Sequence, residues 1–172
     1  MNERDFVSKR KINASDLIQK IEKLTKERIA SQEVVSLDNF RDFKNKIDPK
    51  TLLVIEDDET MRAALKRIFE QDGFSVRTAA DSSELTAILE EVTPDLILMD
   101  VGLPWLNGFE LAQMLKEHKD LKQIPLVFVS GKTSDEDVKR AFEVGADDYV
   151  KKPFDIDKLK KTVQTLLRIS RG

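Results

Sequence analysis

From Thr51 onward, short apolar runs alternate with apolar stripes at helical spacing, and this alternation restricts the possible folds most strongly. The runs begin 21 to 29 residues apart: TLLVIE (51–56), FSVRTA (74–79), DLILMD (95–100), IPLVFVS (124–130) and DYVKK (148–152). Strands that do not alternate apolar with polar residues are buried on both faces, as in parallel sheets covered by helices. The pattern therefore predicts an α/β fold, a doubly wound five-stranded parallel sheet with five helices.

The segments between and after these runs carry apolar residues at a period near 3.6, which is typical of helices packed on one face. The predicted helices are Met61–Gln71, Ser82–Glu91, Gly108–His118, Asp135–Val144 and Asp155–Ile169. Asp58 lies just before the first of them, where an acidic side chain favours a helix N-terminus. We therefore interpret Asp58 as a helix cap.

The first 49 residues differ from the rest in charge and pattern. Residues 1–50 hold 12 Lys/Arg against 9 Asp/Glu, or +3, which leaves 17 against 23, or −6, for the remainder. Leu17, Ile21 and Leu24 have coiled-coil-like spacing. We predict a helical N-terminal extension over 1–49 and a main domain over 50–172. The extension either packs on the domain or pairs with another copy, docks a partner, or is a tail without such a role.

Composition excludes several kinds of chemistry. The chain has no cysteine, so disulfides, zinc-thiolate sites and thiol nucleophiles are absent, and His118 is its only histidine. No apolar run approaches the ~18 residues that cross a membrane, and the N-terminus lacks the apolar stretch of a signal peptide. We predict a cytoplasmic protein that contacts neither a membrane nor nucleic acid.

The predicted strands end on polar residues of complementary chemistry. The first ends at Glu56 and Asp57, the third at Asp100, the fourth at Ser130 and the fifth at Lys152. Because the carboxyl ends of parallel strands meet at one sheet edge, these side chains should converge there. Carboxylate oxygens suit Mg²⁺, and an aspartate beside Mg²⁺ can attack phosphorus as a nucleophile. The sequence thus predicts a magnesium-dependent phosphoryl site.

Four motifs in this region resemble those of one known family. LLVIEDDETMR, PDLILMDVGLPWLNGFEL, PLVFVSGK and GADDYVKKPF occur in this order between about residues 51 and 170. Together they resemble the receiver domain, of the CheY-like type, of bacterial two-component response regulators. The resemblance implies a flavodoxin-like receiver fold and a switch in signal transduction, and not an enzyme in the ordinary sense.

The resemblance also implies a role for each acidic residue of the site. Asp100 would accept the phosphoryl group, and Asp57 would bind Mg²⁺ directly. Glu56, where the family more often has Asp, would reach the metal directly or through water. The backbone carbonyl of Gly102 would be a further metal ligand.

Three further residues would respond to the phosphoryl group. Ser130 would hydrogen-bond it, and Lys152 would pair with Asp100 or with the phosphoryl oxygens. Tyr149 would be an aromatic switch that turns inward as Ser130 moves, although core packing alone remains an alternative. The Lys152-Pro153 bond would be cis.

The resemblance implies a histidine kinase or phosphotransfer protein as donor. A downstream protein or a second copy, giving a possible homodimer, would bind the surface of the fourth helix, fifth strand and fifth helix. We expect no C-terminal output domain, since the chain ends after the fifth helix. Two alternatives stay open: a haloacid-dehalogenase-type phosphatase, and a degenerate receiver that only binds partners.

Overall fold

The computed structural model describes residues 18–19, 22–23 and 48–170. The chain divides into two units, Met1–Pro49 and Lys50–Gly172. Residues 18–19 and 22–23 are helical, but the predicted Leu17, Ile21 and Leu24 stripe lies outside the described residues. The role of residues 1–49 therefore stays a prediction.

The second unit alternates strands and helices as expected from the sequence. The strands are β1 (Thr51–Ile55), β2 (Ser75–Ala79), β3 (Leu96–Met99), β4 (Leu126–Ser130) and β5 (Asp148–Lys151). The helices are α1 (Glu59–Gln71), α2 (Ser82–Glu91), α3 (Gly108–Glu117), α4 (Asp135–Glu143) and α5 (Ile156–Ile169). The predicted helix bounds agree to within two residues.

The five strands form one parallel sheet in the order β2-β1-β3-β4-β5. Alternate residues of β1 face opposite layers: Leu53 and Ile55 join the core beneath α2, α3 and α4, whereas Leu52 and Val54 join the core beneath α1 and α5. All five residues of β4 are buried. This confirms the predicted doubly wound α/β fold, in which both faces of the sheet are covered.

Each of the five helices begins with a side chain that accepts a hydrogen bond from a backbone N–H of the first turn. The capping residues are Asp58, Asp81, Asn107, Ser134 and Asp155. Such caps satisfy donors that have no partner inside the helix. For Asp58 the capped group is the Met61 N–H, at 2.7 Å, so its interpretation as a helix cap is confirmed.

The turn between β3 and α3 depends on a glycine. A Cβ added to Gly108 would lie 2.5 Å from the Asp100 carbonyl oxygen and 2.6 Å from the Val101 Cα atom. The Gly108 N–H donates to the Val101 carbonyl at 2.9 Å. Close backbone approach therefore fixes the loop that follows Asp100.

No helix among the described residues combines the length and the apolar character needed to cross a membrane.

Candidate functional site

The sheet brings the predicted site residues together at the carboxyl ends of its strands. Glu56 follows β1, Asp100 follows β3, Ser130 ends β4 and Lys152 follows β5. The Asp100 N–H donates to the Ile55 carbonyl at 3.0 Å, and the Lys152 N–H donates to the Ser130 carbonyl at 2.8 Å. Backbone hydrogen bonds between neighbouring strands thus hold these positions in register.

Three carboxylates form a compact cluster at this edge. Glu56, Asp57 and Asp100 each offer one oxygen, and these oxygens lie within 4.8 Å of one another. Only oxygen donors are present, which suits a hard divalent cation such as Mg²⁺. The residues therefore fit the predicted metal, with Asp57 as the exposed member of the set.

Glu56 is the most buried of these acids, with 2% of its surface exposed. Its Oε1 accepts from the Asp58 N–H at 3.1 Å, and its Oε2 accepts from Lys152 Nζ at 2.8 Å. Burial raises the pKa of the Glu56 carboxyl, and the Lys152 hydrogen bond opposes that rise. Both oxygens of Glu56 therefore already have protein partners.

Lys152 makes its closest ion pair with an acid other than the one expected. Its Nζ lies 2.8 Å from Glu56 Oε2 but 3.8 Å from Asp100 Oδ2. Lys152 lies closer to Glu56 for a physical reason. Glu56 has a side chain one methylene longer and is almost fully buried, and a buried charge without an ion-pair partner is strongly destabilising. Lys152 still lies within ion-pair distance of Asp100. The Lys152-Pro153 bond is cis, as predicted.

Gly102 lies in the loop after Asp100 and is exposed. A Cβ added there would lie 3.7 Å from Asp100 Oδ2, so residue 102 is next to the carboxylate that is expected to react. Its role as a metal ligand through the carbonyl stays a prediction.

Ser130 and Tyr149 contact the same loop, residues 131–134. Ser130 is 1% exposed, and its Oγ accepts from the Lys132 N–H at 3.2 Å. The Tyr149 hydroxyl donates to the Lys132 carbonyl, and its ring packs on Phe128 at 6.0 Å between centroids. Burial raises the pKa of Tyr149. The side chains of Ser130 and Tyr149 thus both hydrogen-bond the backbone of Lys132. The role of Tyr149 as a switch stays a prediction.

Three hydrogen bonds of the site region, made by two side chains, were not expected from the sequence. Arg62 donates to the carbonyls of Glu56 and Asp57, and Trp105 Nε1 donates to the Ala80 carbonyl at 3.1 Å. Arg62 follows Asp58 by four residues, so helical periodicity places it one turn beyond the cap. This spacing could have placed Arg62 near the loop before α1. It does not predict that the guanidinium turns back to bind the carbonyls of that loop.

Comparison with known proteins gives the family. The profile of the response regulator receiver domain matches residues 52–164. The chain therefore belongs to the receiver domain family of response regulators, whose members are phosphorylated signalling modules that use Mg²⁺. They interact with histidine kinases or phosphotransfer proteins.

Two curated relatives are full regulators of greater length. The aerobic respiration control protein ArcA of Escherichia coli K12 is 38% identical over 116 residues, which cover 67% of this chain and 48% of ArcA. The alkaline phosphatase synthesis transcriptional regulatory protein PhoP of Bacillus subtilis is 36% identical over 121 residues, covering 70% of this chain and 50% of PhoP. The chain thus spans about half the length of these relatives.

Solved structures show the same fold. A response regulator from Chloroflexus aurantiacus superposes with a TM-score of 0.66 at 30% identity, covering 70% of this chain and 99% of that one. The chemotaxis response regulator CheY4 of Vibrio cholerae gives 0.63 at 29% identity, covering 68% and 98%. The match therefore includes nearly all of each of these two chains and about 70% of this one.

Proposed function

We propose that this chain is a phosphorylation-controlled switch in which Asp100 accepts the phosphoryl group. The observation that carries the proposal is the cluster of Glu56, Asp57 and Asp100, whose oxygens lie within 4.8 Å of one another, with Lys152 Nζ within 4 Å of two of them. A nucleophilic carboxylate, a set of metal-binding oxygens and a cation occur together at one sheet edge.

Asp57, Asp100, Glu56 and the Gly102 carbonyl would hold Mg²⁺. When bound, the metal would neutralise charge on the phosphoryl oxygens and on the three carboxylates. Asp57 is the exposed acid, and we assign it as the direct ligand. Glu56 has hydrogen bonds on both oxygens, which supports a contact to the metal through water.

The chemical step is transfer from a phosphohistidine of a kinase or phosphotransfer protein. An Asp100 carboxylate oxygen attacks phosphorus, an O–P bond forms, and the P–N bond breaks. The electron pair of that bond returns to the imidazole nitrogen. Lys152 and the Ser130 hydroxyl would then stabilise the phosphoryl oxygens as charge spreads over them.

The contacts of residues 131–134 support a route from phosphorylation to the surface. If Ser130 turns its hydroxyl to the phosphoryl group, its hydrogen bond to the Lys132 N–H at 3.2 Å is disturbed. The Tyr149 hydroxyl donates to the carbonyl of the same residue, so the Tyr149 side chain and Lys132 would shift together. The surface of α4, β5 and α5 would then change its contacts with a downstream protein or a second copy.

The protein is expected to act in the cytoplasm, without binding nucleic acid through this domain. Membership of the receiver family leaves the phosphatase alternative without support. A degenerate receiver that takes no phosphate remains the competing outcome of the test below.

The test is labelling by a small phosphodonor such as acetyl phosphate, followed by intact mass. We expect one phosphoryl group per chain, dependent on Mg²⁺, in the unaltered protein and in the control Asp157→Asn, an exposed acid of α5. Asp100→Asn should take none. Equal labelling of both variants, or no labelling of any form, would contradict the proposal.

A further inference from the structure

Arg62, on the first turns of α1, binds all three carbonyl groups of the loop that joins β1 to α1. Its guanidinium Nη1 donates to the Glu56 carbonyl at 2.9 Å and to the Asp57 carbonyl at 3.1 Å. Its backbone N–H donates to the Asp58 carbonyl at 2.9 Å. One half-buried residue therefore helps to hold the backbone of both metal-binding acids, together with the hydrogen bond from the Glu56 N–H to the Ala79 carbonyl at 3.1 Å.

The rest of the loop offers little to replace these contacts. Glu56 follows the last residue of β1 and precedes the first residue of α1 by three positions. The carbonyls of residues 56 and 57 thus lie beyond the sheet and outside the helix. Among the residues that the structure describes, the Arg62 side chain donates a hydrogen bond to each of these carbonyls. Loss of the guanidinium would leave both groups to water and would free the loop to move.

The guanidinium has two opposing effects on a cation at this site. As a positive charge close to the backbone of Glu56 and Asp57, it repels Mg²⁺ and should weaken binding. As a hydrogen-bond donor that fixes the two acids, it preorganises the ligands and should strengthen binding. The two effects change metal affinity in opposite directions when the side chain is replaced by a neutral one.

We propose that Arg62 is a positioning residue for the metal site, and that its positioning effect on Mg²⁺ binding exceeds its repulsion. The inference rests on the proposed function, since it assumes that Glu56 and Asp57 bind Mg²⁺. Two hydrogen bonds from one nitrogen atom restrict both carbonyls together. Partners that orient metal ligands typically change affinity 10- to 100-fold, and Arg62 acts on the backbone, so about tenfold is expected.

The test is the dissociation constant of Mg²⁺ for the full chain, measured by isothermal titration calorimetry after chelator treatment. Arg62→Met keeps the length of the apolar stem but removes the charge and both donors. Arg62→Lys keeps a charged donor, and Arg67→Met removes an exposed arginine from the same helix. Thermal unfolding without Mg²⁺ shows whether each variant is folded.

Arg62→Met should weaken Mg²⁺ binding about tenfold, Arg62→Lys should recover part of the loss, and Arg67→Met should bind as the unaltered chain does. Equal or tighter binding by Arg62→Met would overturn the inference, because repulsion would then dominate. If Arg62→Met does not fold, Arg62→Lys becomes the deciding variant. An Mg²⁺ affinity of Arg62→Lys equal to that of the unaltered chain would then overturn the inference. Absence of Mg²⁺ binding by the unaltered chain would overturn the proposed function and this inference with it.

Discussion

At the scale of single residues, Glu56, Asp57 and Asp58 are consecutive acids with three different surroundings. Glu56 is almost fully buried and paired with Lys152. Asp57 is exposed and belongs to the carboxylate cluster. Asp58 caps α1. Their order in the chain explains this, because the strand ends at residue 55 and the helix begins at residue 59, so each residue between them meets a different environment.

Asp57 and Asp58 form a matched pair for a test of metal binding. Mg²⁺ at about 100 times its dissociation constant should stabilise the unaltered protein by about 2.7 kcal/mol. Asp57→Ala should lose most of this gain. Without Mg²⁺, Asp58→Ala should be less stable than the unaltered protein by about 0.5–2 kcal/mol, because the helix cap is lost. It should still be stabilised by Mg²⁺ as much as the unaltered protein is. Thermal unfolding with and without Mg²⁺ measures both.

An equal Mg²⁺ gain in Asp57→Ala and the unaltered chain would show that Asp57 is not a ligand. If only Asp58→Ala lost the gain, the assignments of the two acids would have to be exchanged.

Lys152 is expected to stabilise the fold mainly through Glu56. Lys152→Met removes the partner of a carboxylate oxygen that is almost fully buried, which should cost about 1–3 kcal/mol. In a Glu56→Gln background the same change should cost less, because no buried charge is left unpaired. Urea unfolding of the four proteins in Mg²⁺-free buffer gives the coupling free energy, and we expect about 1–3 kcal/mol. Additive effects would contradict a dominant Glu56–Lys152 pair.

At the scale of elements, the strands, the helices and the edge that holds the site could all be predicted from sequence. Runs without alternation require burial on both faces, and this restricts β1 and β4 to the interior of a covered parallel sheet. Parallel strands then bring Glu56, Asp100 and Lys152 to one edge whatever the details of packing.

Side-chain contacts across elements were less accessible from sequence. The preference of Lys152 for Glu56 over Asp100 is a difference between 2.8 Å and 3.8 Å. It depends on side-chain placement and on burial, and no periodic pattern in the sequence encodes either. The Arg62 guanidinium turns back to the preceding loop, whereas helical periodicity gives only the face on which a residue lies. The Trp105 contact joins loops that are 25 residues apart in the chain.

The β3–α3 loop allows a controlled test of packing. Gly108→Ala would place a methyl group 2.5 Å from the Asp100 carbonyl oxygen, so the backbone must shift, at a cost of about 1–3 kcal/mol. A Cβ at Gly131 meets nothing within 4 Å, so Gly131→Ala should change the free energy of unfolding by less than about 1 kcal/mol. Urea unfolding compares them, and equal losses would contradict the tight turn.

At the scale of the whole molecule, residues 50–172 are proposed to be an independent domain. Among the residues that the structure describes, the buried members of both core clusters lie between Leu52 and Leu167. Asp95 also secures the beginning of β1, since its carboxylate accepts from Lys50 Nζ at 3.0 Å and from the Thr51 N–H at 2.7 Å.

A chain that lacks residues 1–49 should therefore unfold cooperatively and still bind Mg²⁺. If the extension pairs copies of the protein, this deletion should also lower the mass measured in solution by light scattering. An unchanged mass would reject pairing through the extension. Loss of cooperative unfolding would contradict the proposed domain boundary.

The central claim is that Asp100 carries the phosphoryl group, and peptide-level mass spectrometry of the labelled, unaltered chain tests it without any substitution. After reaction with acetyl phosphate and Mg²⁺, we predict one phosphoryl group, located on the peptide that contains Asp100 and on that residue. A phosphoryl group on Asp57 or elsewhere, or none on a chain that binds Mg²⁺, would contradict the account.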